Sequence, residues 1–251
     1  EGQLRYGSTS FAGNLSLDLE AETMRFDVES NTPDITDYAP DDEDLAPAFS
    51  VPISLRAVGE LSEEAWSVEA LQIESTQAKI DSSGYLELDG DAFVNSHLNS
   101  FITIASLNVF DELTALALPD QGLVVSAELD SRGGALVIER LKLISGESDL
   151  SLTGRVENPE ALKVEFTAVS EEINLTPWIT MLAERQAATP KKAPSEGDAA
   201  GNDRLIPDVP LTFDWPEAVR ASVDVSVAKI SGLARPVLSI KGAGQVDQQG
   251  V

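Results

Sequence analysis

The chain has 251 residues, 42% hydrophobic but only 6% aromatic, and its 43 Asp and Glu against 17 Lys and Arg give a formal net charge of -26. That balance argues against nucleic acid as a partner, because neutralising phosphates takes a basic surface, and anionic membrane surfaces would repel the chain for the same reason. The absence of cysteine excludes disulfides, thiolate metal sites and cysteine nucleophiles.

From the N-terminus onward, period-two alternation dominates, as in Leu15-Ser16-Leu17-Asp18-Leu19, Met24-Arg25-Phe26-Asp27-Val28, Val164-Glu165-Phe166-Thr167-Ala168 and Val223-Asp224-Val225-Ser226-Val227. Side chains on a strand point alternately to its two faces, so each stretch reads as a strand with one apolar and one polar face. Around Leu71 the alternation slips, which predicts a bulge. Helical signals are few: Asn108 is a candidate cap for a short turn through Val109, Phe110 and Leu113, and Thr176-Pro177 opens a helix of roughly ten residues through Trp178, Met181 and Leu182. The acidic run Asp41 to Asp44 reads as an exposed loop, and residues 185–203, without apolar periodicity, as a disordered linker.

The pattern repeats at about 70 residues. Gly13, Gly84 and Gly154 recur at that spacing, and Val51 to Gly59, Trp66 to Ile73, Ala78 to Asp81 and Leu98 to Ala105 align with Leu123 to Asp130, Leu136 to Leu143, Ser148 to Ser151 and Leu162 to Val169. The organisation expected is a partial repeat at 1–46, full repeats at 47–118 and 119–184 (the latter ending in the helix), the linker at 185–203, and the start of a further repeat at 204–251. The fold class is mainly β: an elongated, twisted antiparallel sheet curled into an apolar groove, with five-stranded units and short helical connectors. At ~4.8 Å per strand, three and a half such units predict a body on the order of 80 Å long.

Sites of sharper chemistry are weak. His97, the only histidine, stands among small polar residues without a G-x-S-x-G elbow and reads as a surface side chain at a strand start. Asp41-Asp42-Glu43-Asp44 lacks the alternating order of a calcium loop, and Asp89-Gly90-Asp91 reads as a turn. The side chains expected to matter are apolar: Leu15, Leu17, Leu86, Leu88, Ile102, Ile104, Leu150, Leu152, Val164, Phe166, Val223 and Val225. They line either a groove or an ordinary core, and periodicity alone leaves both open.

After the linker the sequence runs Arg204-Leu205-Ile206-Pro207-Asp208-Val209-Pro210-Leu211, then through Asp214-Trp215-Pro216 to Val223-Asp224-Val225-Ser226-Val227 and Ile230-Ser231-Gly232-Leu233. This resembles the AsmA family, in which an I-P-D-T-P-L phrase, a spacer, an alternating D-V-D-V and a closing G-L follow a variable polar loop; Phe213-Asp214-Trp215-Pro216 departs from the Ala- and Leu-rich spacer of that pattern. The resemblance implies an envelope protein of Gram-negative bacteria, anchored in the inner membrane through a segment outside this chain. Its periplasmic β-gutter would shelter phospholipid acyl chains on their way toward the outer membrane, with further periplasmic or outer-membrane protein partners. The twelve residues named above would be the lipid lining. Neither a cofactor nor a catalytic group is expected. A structural or adhesive envelope protein of β-sandwich repeats, bridged by Ca²⁺, is the alternative reading.

Overall fold

The computed structural model describes residues 2–6, 9–33, 51–89, 92–111, 118–157, 162–188 and 219–248. The acidic run at 41–44, the turn residues Gly90 and Asp91, most of the linker and the phrase at 204–218 lie outside them. Fourteen strands form one sheet: β1 (Gly2–Tyr6), β2 (Thr9–Asp18), β3 (Thr23–Thr32), β4 (Ile53–Leu61), β5 (Ala65–Ser75), β6 (Ala78–Asp89), β7 (Ala92–Ile104), β8 (Leu123–Arg132), β9 (Ala135–Ser145), β10 (Ser148–Glu157), β11 (Leu162–Ser170), β12 (Ile173–Asn174), β13 (Val219–Ser231) and β14 (Val237–Gln248).

From β1 to β11 every strand pairs antiparallel with the next in sequence, and the β2–β3, β4–β5, β5–β6, β8–β9 and β9–β10 connections are short turns of the kind antiparallel neighbours need. The Gly133–Gly134 turn between β8 and β9 has both residues at positive φ, the conformation that matches the twist of the strands it joins. The twisted sheet is not closed into a barrel, since β1 and β14 do not pair with each other.

One junction departs from the all-antiparallel expectation. β13 runs parallel to β11, with Phe166 opposite Val223 and Ala168 opposite Val225, and β12 pairs parallel with the far end of β13. A parallel neighbour needs a crossover rather than a hairpin. Here the crossover contains a 13-residue helix, α1 (Thr176–Ala188). α1 opens where Thr176-Pro177 predicts, with the Thr176 N–H donating to Asn174 Oδ1 at 2.9 Å. It takes in the first four residues assigned to the linker, Arg185 to Ala188, whose Gln and Ala residues are good helix formers.

The repeats are visible as matching defects. In 47–118 the described strands are β4 to β7, followed by a 3-10 turn at Leu107–Phe110; in 119–184 they are β8 to β12, the fifth only two residues long, followed by α1. Among the described residues of the earlier unit, the 3-10 turn stands where the fifth strand is expected. That turn is capped by Ser106, not Asn108, because Ser106 Oγ accepts the Asn108 N–H. β5 carries an extra residue between Val68 and Leu71, as the slipped alternation predicts, and β9 carries one at the equivalent place between Ile138 and Leu141. Thirteen strands lie abreast, β1 to β11 then β13 and β14, so at ~4.8 Å per spacing the sheet is about 58 Å across. The 80 Å expectation counted more strands per unit than the described residues form.

Candidate functional site

Residues opposite one another in a ladder share a face, so register traces one surface across the whole sheet. One row runs Leu15, Phe26, Gly59, Val68, Gly84, Leu98, Leu129, Ile138, Gly154, Phe166, Val223 and Gly244, one residue from each strand from β2 to β14 apart from β12. A flanking row runs Leu17, Met24, Leu61, Trp66 and Leu86; on the other side lie Ala57, Leu71, Ala127, Leu141, Leu152, Ala168 and Val225. Beyond them come Leu55, Ile73, Ile80, Ile102, Val125, Leu143 and Leu150. All twelve residues singled out in the sequence stand on this one face.

From β2 to β11 no Asp, Glu, Lys, Arg or His occupies this face at any paired position. Its polar residues are small and local: Ser82 and Ser100 face each other across β6 and β7, with their hydroxyls 2.7 Å apart. Among the described strands only Lys229 places a charge there, and its ammonium is held by Glu172 at 2.7 Å.

The face is concave, and the reason lies along the central row. A Cβ at Gly84 would overlap the His97 carbonyl oxygen of the neighbouring strand, and one at Gly59 would stand 2.7 Å from the Phe26 ring. At Gly154 an added Cβ would stand 2.6 Å from the Glu165 carbonyl and overlap the Phe166 ring. The adjacent strands rise on that side, leaving room only for hydrogen. Register breaks beside the same row, at Val58/Gly59, Val68/Leu71, Glu128/Leu129 and Leu152/Gly154, let the strands bend there. At Gly84 the result is a hollow of about 290 Å³ lined by Trp66, Val68, Leu71, Leu86 and Leu98.

Nothing among the described residues covers this surface. Of the described side chains of Ala, Val, Leu, Ile, Met and the aromatic residues whose burial is defined, only Ala135 and Val227 are buried. Leu15 and Leu17 are 65% and 62% exposed, Trp66 48% and Leu98 42%, and the remaining residues of the twelve are half-buried or exposed, none buried. Among the described residues, then, no second layer seals these positions into a core.

The opposite, convex face holds the charges. Arg25 pairs with Glu60, Arg56 with Asp27 and Glu29, Arg140 with Glu128, and Lys163 with Glu165. His97 lies in mid-strand on this face, not at a strand start. Its Nδ1 stands 2.6 Å from Asp130 Oδ1, its ring stacks on Tyr85, and Arg132 binds the other Asp130 oxygen. The hydrogen bond from His97, reinforced by Arg132, holds the Asp130 carboxyl below the usual carboxylate range against the opposing effect of burial. This pairing was not legible in the sequence, because His97 and Asp130 meet only through the register of β7 and β8.

Sequence reasoning also missed Trp66, Val68, Leu71 and Leu98 as members of the apolar face. The bulge puts Val68 and Leu71 three residues apart, so strict alternation does not connect them. No protein-family model, curated protein or solved structure matches the chain.

Proposed function

We propose that this chain is a lipid-carrying segment of a periplasmic, inner-membrane-anchored transfer protein of the AsmA-like kind. In this reading the concave face shelters phospholipid acyl chains between the inner and outer membranes. The observation that carries it is the uncovered, charge-free concave surface that stays in phase across the strands from β2 to β11. A sheet with one apolar face is stable in water only if something covers it. A second sheet would make a sandwich, but all fourteen described strands belong to a single sheet. Hydrocarbon fits a surface that is continuous, mostly apolar and without charged groups from β2 to β11. Each methylene removed from water contributes about 0.8 kcal/mol, so a chain of some fifteen is favoured by on the order of 12 kcal/mol.

A conduit needs no nucleophile, base or cofactor. It needs a path on which every position is energetically alike, and the cross-strand rows provide one perpendicular to the strands. The membrane anchor belongs outside the described residues, among which no helix is long and apolar enough to cross a bilayer. Native mass spectrometry of the purified chain tests the proposal: phospholipid should travel with the protein and be displaced by detergent. A protein that stays folded and lipid-free after incubation with phospholipid vesicles would sink it.

A further inference from the structure

We infer that the groove holds its cargo by the acyl chains while its mouth discriminates against lipids whose head group carries a net negative charge, so that zwitterionic phospholipid is its preferred load. The inference rests on the lipid-carrying reading and deepens it. A head group cannot be buried against a surface that offers no charged or strongly polar partner, so it stays at the mouth of the groove while the chains lie inside. The concave face from β2 to β11 has no cation with which to hold a phosphate, and Lys229 is already bound to Glu172 and thus neutralised.

The mouth is bordered by the turns that join the strands, and the charges of the described turns are mostly negative. On one rim the β2–β3 and β4–β5 turns present Glu20, Glu22, Glu63 and Glu64, all exposed. On the other rim Asp120, Glu147 and Glu171 are exposed beside the ends of β8, β10 and β11. Among the described cations near the rims, Arg132 is bound to Asp130, Lys79 to Asp81 and Lys163 to Glu165, while Arg220 at the start of β13 and Arg235 in the β13–β14 turn stand toward one end of the sheet. A head group moving along the mouth therefore passes between carboxylates. A net anionic head is repelled at each step, whereas an ethanolamine head brings an ammonium with its phosphate and is not.

The test uses the full chain and vesicles in which acyl-matched phosphatidylethanolamine and phosphatidylglycerol are mixed equally, so that approach to the membrane is the same for both. The lipid bound to re-isolated protein is then counted by mass spectrometry. At low salt the ethanolamine lipid should be enriched about threefold, the effect of roughly one unit charge repelled across several ångströms of water, and the enrichment should fade at about 1 M salt. Replacing the four rim residues together (Glu20→Lys, Glu22→Lys, Glu63→Lys, Glu64→Lys) should raise the phosphatidylglycerol share. Bound lipid that mirrors the vesicle composition, or is richer in phosphatidylglycerol, overturns the selectivity and leaves lipid carriage standing. If neither lipid is bound, both fall.

Discussion

The two faces of this sheet are made by the same strands, yet they follow opposite rules. On the convex face, residues opposite one another are of opposite charge, as with Arg25 and Glu60, Glu29 and Arg56, and Glu128 and Arg140. Each such pair is exposed and local, and its loss concerns only its neighbours. On the concave face the groups are apolar and the continuity of the rows is what matters, so a single altered position interrupts a surface shared by every strand. The difference teaches where the sequence is constrained: shape and polarity within the groove, and on the outside only an approximate balance of charge between adjacent strands.

The comparison breaks most completely where the curvature itself is made. Gly84→Val places a branched side chain where the His97 carbonyl already stands, so β6 and β7 must move apart in the middle of the sheet. Overpacking against backbone cannot be relieved by a rotamer change, and a loss of about 3 kcal/mol is expected in denaturant unfolding. The same substitution at Gly244, where an added Cβ meets nothing within 4 Å, should cost far less and serves as the control.

A charge on each face sharpens the contrast next. Ile104 and Thr103 are neighbours on β7 that stand on opposite faces, and Ile104 is only half-buried. Ile104→Asp should leave a folded protein, because the open groove keeps the carboxylate hydrated, but one that has lost most of its bound phospholipid by native mass spectrometry and fails to restore outer-membrane integrity in cells. Thr103→Asp should retain its lipid and change stability by no more than about 0.5 kcal/mol. If Ile104→Asp unfolds the chain, as circular dichroism and melting temperature would show, and no preparation carries lipid, the position is sealed core.

Much of this was legible in the sequence because alternation is a local signal. Leu15 and Leu17, or Val223 and Val225, declare their common face within five residues, and the aligned repeats make β5 and β9 counterparts from their residues alone. Two kinds of information were not local. Bulges shift the phase, which hid Val68 and Leu71, and their presence in both repeats becomes informative only once register shows that they lie beside one row. Pairings between distant residues, such as His97 with Asp130 or β11 with β13, depend on which strands become neighbours. The parallel junction in particular depends on which side of β11 the chain returns to after α1, which alternation does not specify.

Acid should weaken the charge pairs and leave the apolar rows unaffected. Asp130 is held below its ordinary range by His97 and Arg132, Glu157 by Arg155, and Glu172 by Lys229 and Ser231. A carboxylate whose folded pKa is depressed contributes stability that is fully present above its unfolded value, about 4, and is lost as pH falls through the lower folded value. Melting temperature should therefore be level with respect to these groups near neutrality and decline below about pH 4. Asp130→Asn should be less stable at neutral pH and show a shallower acid decline. An unchanged slope would mean that Asp130 does not contribute to the acid response.

The smallest effect is expected where a charge pair is most exposed. Arg140 Nη2 lies 2.8 Å from Glu128 Oε2, but the arginine side chain is 69% exposed, so water and salt screen the attraction and holding two long side chains together costs entropy. Arg140→Ala should shift the melting temperature by no more than about 1–2 °C. Because the arginine stands on the face away from the groove, the variant should also carry the same amount of phospholipid as the parent. A fall in bound lipid without a fall in melting temperature would show that the two faces are coupled through β9, whose Leu141, next in sequence to Arg140, stands on the concave side.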